Sequence, residues 1–71
     1  MLIDPNDPAR CLRTEELAER WGTTPGHLSN LRSMGAGPPY LKIGHSVRYR
    51  LGDIQEYEKG IMVYPLIKND L

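Results

Sequence analysis

Lys42, Arg48 and Arg50 fall in a stretch that alternates polar with apolar residues, and His45 and Ser46 lie between them. Cationic side chains gathered on one strand face bind phosphates, arginine doing so bidentately. Upstream, Asn30 and Arg32 lie in a segment of helical spacing, and these residue types pair with adenine and guanine edges in a major groove. The chemistry indicated is recognition of a polyanion. Catalysis is not indicated: the sequence contains no nucleophile–base pair, no suitably placed pair of carboxylates and no phosphate-cradling glycine loop. A chain of 71 residues also has little room for a pocket. The single cysteine, Cys11, cannot form an internal disulfide, and with His27 and His45 it makes no metal-ligand spacing. The expectation is a protein with no cofactor, no metal and no enzymatic activity.

The elements that must position these residues follow from periodicity and punctuation. Residues 1–11 hold two prolines, two aspartates and an asparagine and read as a flexible arm. Thr14 is the expected cap of a first helix, with Glu15 and Glu16 in its first turn and Leu17, Ala18 and Trp21 on one face. Gly22 ends it. Thr24 caps a second helix, and Pro25 takes its first position. Leu28, Leu31 and Met34 form its buried stripe, and Gly35 closes it. Gly26, His27, Ser29, Asn30, Arg32 and Ser33 are left to face outward, while Thr24, Pro25 and the first amides suit a phosphate. Thr24 also has a purely local role as a cap, and His27 reads equally as a surface histidine. Trp21 and Tyr49 lie on apolar stripes and read as core rather than as base-stacking groups.

After the turn-rich Gly35–Pro39 segment the period changes to two. Leu41, Ile43, Val47 and Tyr49 are expected on one face of a hairpin and Lys42, Arg48 and Arg50 on the other. A shared apolar face requires an odd loop, for which Gly44-His45-Ser46 supplies three residues. Ile43 then opposes Val47, and Lys42 opposes Arg48. A like-charge pair of that kind costs up to about 1 kcal/mol, which a phosphate backbone would offset. Gly52 and Asp53 open a last helix with Ile54 and Tyr57 inward, and Gly60 ends it. The expected fold is α+β and mostly helical: a winged helix-turn-helix over residues 12–60, with a two-stranded wing and a C-terminal helix.

Formal net charge is zero, yet Thr23–Gly52 contains no Asp or Glu although the chain carries nine acids. A polyanion responds to the local face rather than to the total. No secretory signal or membrane-spanning run is apparent, and a lone cysteine suits a reducing cytoplasm. The expectation is a soluble cytoplasmic protein.

Thr14-Glu-Glu-Leu-Ala-Glu-Arg-Trp-Gly-Thr-Thr-Pro25, Gly37-Pro-Pro-Tyr-Leu-Lys-Ile-Gly44, Val47-Arg-Tyr-Arg50 and Asp53-Ile54 together span most of the chain. They resemble the phage excisionase and AlpA-like branch of the MerR-related winged helix-turn-helix family. The resemblance implies binding to double-stranded DNA at repeated sites of an attachment region, bending of that DNA, and steering of an integrase toward excision. The same family includes small transcriptional regulators. Pro25-Gly26-His27 departs from the more polar or basic start that such recognition helices often carry.

The tail over 61–71 is apolar through Ile61, Met62, Val63, Tyr64, Leu66 and Ile67. Two readings stand: it folds over its own helices, or it pairs with a second chain to give a homodimer or a cooperative oligomer on DNA. The rival class for the whole protein is a winged-helix module that binds another protein.

Overall fold

Thr14 does not cap the first helix. Arg13 takes the cap position with an extended backbone, and Thr14 is the first helical residue. Glu16 supplies the reason: its Oε1 accepts the Arg13 amide at 2.8 Å, and the Arg13 carbonyl accepts Leu17 N–H at 3.0 Å. A glutamate at the third helical position thus satisfies the cap amide without help from a hydroxyl.

The structure, a computed structural model, describes residues 6–63. Its elements are β1 (Cys11–Leu12), α1 (Thr14–Trp21), α2 (Pro25–Ser33), β2 (Leu41–Ile43), β3 (Ser46–Arg50) and α3 (Leu51–Ile61). Among the described residues this is a small α+β fold of three helices and a three-stranded antiparallel sheet, ordered β1-β3-β2. The two-stranded hairpin expected from periodicity therefore gains a third strand, β1, which pairs with β3 through Cys11 opposite Arg50 and Leu12 opposite Tyr49. Two residues are too short for a periodicity signal, so nothing local marked them as a strand.

Leu12, Leu17, Ala18, Leu28, Tyr49, Leu51 and Ile54 are buried between the sheet and the helices, with Trp21, Leu31 and Val47 packed against them. Ala18 offers only a methyl group where α1 meets α2. Gly22 takes φ 67° to turn the chain, and the amides of Gly22 and Thr23 return to the carbonyls of Glu19 and Ala18. Thr24 caps α2 as expected, its Oγ1 accepting His27 N–H at 3.1 Å, and Pro25 is the first helical residue. Met34 is not on the buried stripe. Its amide still donates to the Asn30 carbonyl at 3.1 Å as in a helix, but six residues past Leu28 it lies about 120° round from that leucine, at the cap of α2, and is 70% exposed.

The hairpin register also differs from expectation. Leu41 opposes Arg48, Lys42 opposes Val47, and Ile43 opposes Ser46, which leaves Gly44 and His45 as a two-residue loop. Gly44 has φ 62°, the positive value that short hairpin connections need to match the twist of their strands. A one-residue change in register moves a whole strand to the other face. Leu41 and Ile43 consequently share a side with Ser46 and Arg48, while Lys42 shares one with Val47 and Tyr49.

Helix α3 begins at the buried Leu51, one residue earlier than expected, and runs through Gly60 to Ile61. Its opening amides are met by the preceding arm: Leu51 N–H donates to the Arg10 carbonyl at 2.8 Å and Gly52 N–H to the Pro8 carbonyl at 2.9 Å. A Cβ on Gly52 would lie 3.2 Å from Pro8 Cβ, so glycine is what lets the arm approach. Of the arm expected over 1–11, residues 8–11 are thus tied to β3 and α3.

Candidate nucleic-acid interface

Helix α2 has two unlike sides. Leu28 is 1% exposed, which stabilises the fold by about 2 kcal/mol, and it fixes the rotation of the helix. Thr24, Pro25, Gly26, His27, Ser29, Asn30 and Ser33 are all exposed. The helix carries no acid, and its amino-terminal amides project the positive end of its dipole.

Arg32, expected on that outer surface, is half-buried and engaged within the fold. Its Nη1 donates to Tyr49 Oη at 2.6 Å and to Thr14 Oγ1 at 3.4 Å. The guanidinium carbon also lies 5.7 Å from the Tyr40 ring centre and 5.9 Å from that of Tyr49. The buried tyrosine hydroxyl thereby gains a charged partner, and Arg32 joins α2 to α1 and β3.

The hairpin presents its cations differently from the sequence expectation. Lys42, His45 and Ser46 are exposed, the last two at and beside the tip. Arg48 is half-buried and donates from Nη1 to the Val47 carbonyl at 2.8 Å. Arg50 Nε meets Asp53 Oδ2 at 2.8 Å, pairing it with the first turn of α3. Arg48 and Arg50 share one face of β3, whereas the register places Lys42 on the opposite side. No like-charge pair therefore faces across β2 and β3 at Lys42 and Arg48.

A feature not anticipated from the sequence lies on the other edge of β3. Asp7, Ala9, Arg10, Cys11, Arg13, Glu16 and Arg48 line an open groove of about 600 Å³. The only trace of it in the sequence is Arg10-Cys-Leu-Arg13, and the β1 pairing that folds this segment against Arg48 joins residues far apart in the chain.

At the far end of the molecule Ile61, Met62 and Val63 are 54%, 50% and 82% exposed. Tyr64, Leu66 and Ile67, assigned with them to the apolar tail, lie outside the described residues. Among the described residues, no three His, Cys, Asp or Glu side chains gather where a metal ion could be held. No helix among them is long and apolar enough to cross a membrane. No protein-family model matches the chain, and no curated protein matches it.

Proposed function

We propose that this chain is a winged helix-turn-helix protein that binds double-stranded DNA, with α2 in the major groove and the β2–β3 hairpin as a wing on the backbone. The observation that carries the reading is the contrast across α2: one fully buried leucine on the inner side and an acid-free, exposed polar surface on the other. In this arrangement the first amides of α2, with Thr24 and Pro25, sit against a phosphate. Asn30 is placed to read adenine, and His27, Ser29 and Ser33 border the groove floor. Lys42 and Arg48 hold the backbone, and His45 and Ser46 reach the minor groove. Arg32 acts through the fold, setting the position of α2 on Tyr49.

The specific role is that of an excisionase: the protein binds sites in a phage attachment region, bends them and directs an integrase toward excision. What supports this step is the sequence resemblance carried by Thr14–Pro25, Gly37–Gly44 and Val47–Arg50. The protein works by binding and not by catalysis.

The test is titration against labelled duplexes tiled across the protein's own locus, with excess nonspecific competitor, at 50 and 200 mM salt. Three to five phosphate contacts predict a loss of affinity of about 40- to 500-fold between those salts. Selective binding to a cluster of repeats, lost in the Lys42→Ala, Arg48→Ala double variant, is the expected result. One site over a promoter would make the protein a transcriptional regulator instead. No competitor-resistant binding by folded protein would end the DNA-binding reading and favour a protein-interaction module.

A further inference from the structure

We propose that the groove between β1, the start of α1 and β3 seats a phosphodiester of the DNA backbone, held by Arg13 and Arg48. The footprint thereby extends beyond α2 and the hairpin. The inference rests on the DNA-binding reading above and joins Arg48, already assigned there to the backbone, with Arg13 on the β1 side of the sheet.

Three arginines reach this groove from separate parts of the chain: Arg10 from the arm, Arg13 from the cap of α1 and Arg48 from β3. Two acids share the lining, and both are occupied. Asp7 Oδ1 accepts Ala9 N–H at 2.9 Å, and Glu16 accepts the Arg13 amide at 2.8 Å and Arg10 Nη2 at 3.3 Å. Arg13 and Arg48 belong to none of the ion pairs formed among the described residues. Both line the groove because the β1–β3 pairing, which ends with Leu12 opposite Tyr49, sets the residue that follows β1 beside the residue that precedes Tyr49. Two cations lining one groove without an acid partner repel, and an anion between them turns that conflict into a binding contribution.

The lining favours phosphate over a protein partner. Protein interfaces rely on apolar or aromatic anchors seated in pockets, and this groove offers only Ala9 and Cys11 among charged side chains.

Arg13→Ala tests the site without disturbing the cap, which is made by the Arg13 backbone N–H and carbonyl. The slope of log affinity against log salt is measured for wild type, Arg13→Ala, Arg13→Lys and Lys42→Ala, on a specific and a random duplex, with thermal melts as a check on folding. The expected result is that Arg13→Ala lowers the slope by about 0.9 and weakens both duplexes by the same factor, while Arg13→Lys restores the slope. An unchanged slope in Arg13→Ala, with a reduced slope in Lys42→Ala, would overturn the groove site and leave the DNA reading standing. Wild-type protein that binds neither duplex would remove both.

Discussion

Glu58 is the most heavily used carboxylate among the described residues. Its oxygens accept Arg20 Nε at 2.7 Å, Arg20 Nη2 at 2.8 Å and Trp21 Nε1 at 2.7 Å, fastening α3 to the end of α1. The Arg20 hydrogen bonds hold its carboxyl below the usual glutamate range, against partial burial and with help from Trp21. Arg20 is correspondingly raised, so both partners agree in sign. A carboxylate with a depressed folded-state pKa contributes stability that is fully present above its unfolded pKa and is lost as pH falls through the folded one. Arg20 is 39% exposed at its side chain, which keeps the pair's contribution at or below about 1 kcal/mol. Glu58→Gln is therefore expected to lower Tm by a few degrees at pH 7, and the difference from wild type should shrink toward zero as the buffer is taken down to pH 3. A constant difference across that range would mean that lost hydrogen-bond geometry, not charge, is responsible. Single residues of this kind were poorly legible in the sequence. Glu58 and Arg20 lie 38 positions apart, Arg32 and Tyr49 lie 17 apart, and nothing local announces either partnership.

At the scale of elements, the helices were largely legible and the hairpin register was not. Leu17, Ala18, Leu28 and Ile54 lie where helical spacing puts them, because each helix buries one narrow stripe and its caps are local chemistry. The hairpin offered two conflicting signals. A shared apolar face favoured an odd loop, whereas a glycine able to take positive φ favoured the two-residue connection that forms. The loop prevails because only β3 needs an apolar inner face: Val47 and Tyr49 supply it, and Ile43 on the edge strand stays 63% exposed. Gly60 was misleading for a similar reason. Glycine commonly ends helices, but here it is followed by Ile61 within α3, and a Cβ at Gly60 would meet nothing within 4 Å. Replacing a glycine inside an exposed helical turn by alanine gains up to about 1 kcal/mol. Gly60→Ala should therefore raise Tm, by a few degrees at most since the site lies near the helix end. A lowered Tm would show that residue 60 needs a backbone conformation only glycine adopts.

At the scale of the whole molecule, the open question is what becomes of the apolar surface at the end of α3. The helix itself is well anchored: Trp21 and Tyr57 stack with ring centres 5.8 Å apart, and Glu58 binds both Trp21 and Arg20. Those contacts all precede Gly60. Ile61, Met62 and Val63, immediately beyond, are half or more exposed, so the fold of the described residues does not use them. An apolar end on an otherwise anchored helix is suited to burial against a second copy, and on the proposed DNA-binding reading two units joined in that way would gain affinity without any new contact to DNA. Deleting residues 61–71 leaves the Trp21–Tyr57 and Glu58 contacts described for α3 in place, and the shortened protein is expected to remain folded. Sedimentation velocity is expected to show loss of self-association, and the affinity for a duplex carrying two sites should fall while that for a single site is nearly unchanged. If sedimentation is unaltered but Tm drops sharply, the segment instead covers its own chain's core, and the proposed second copy has no role in binding.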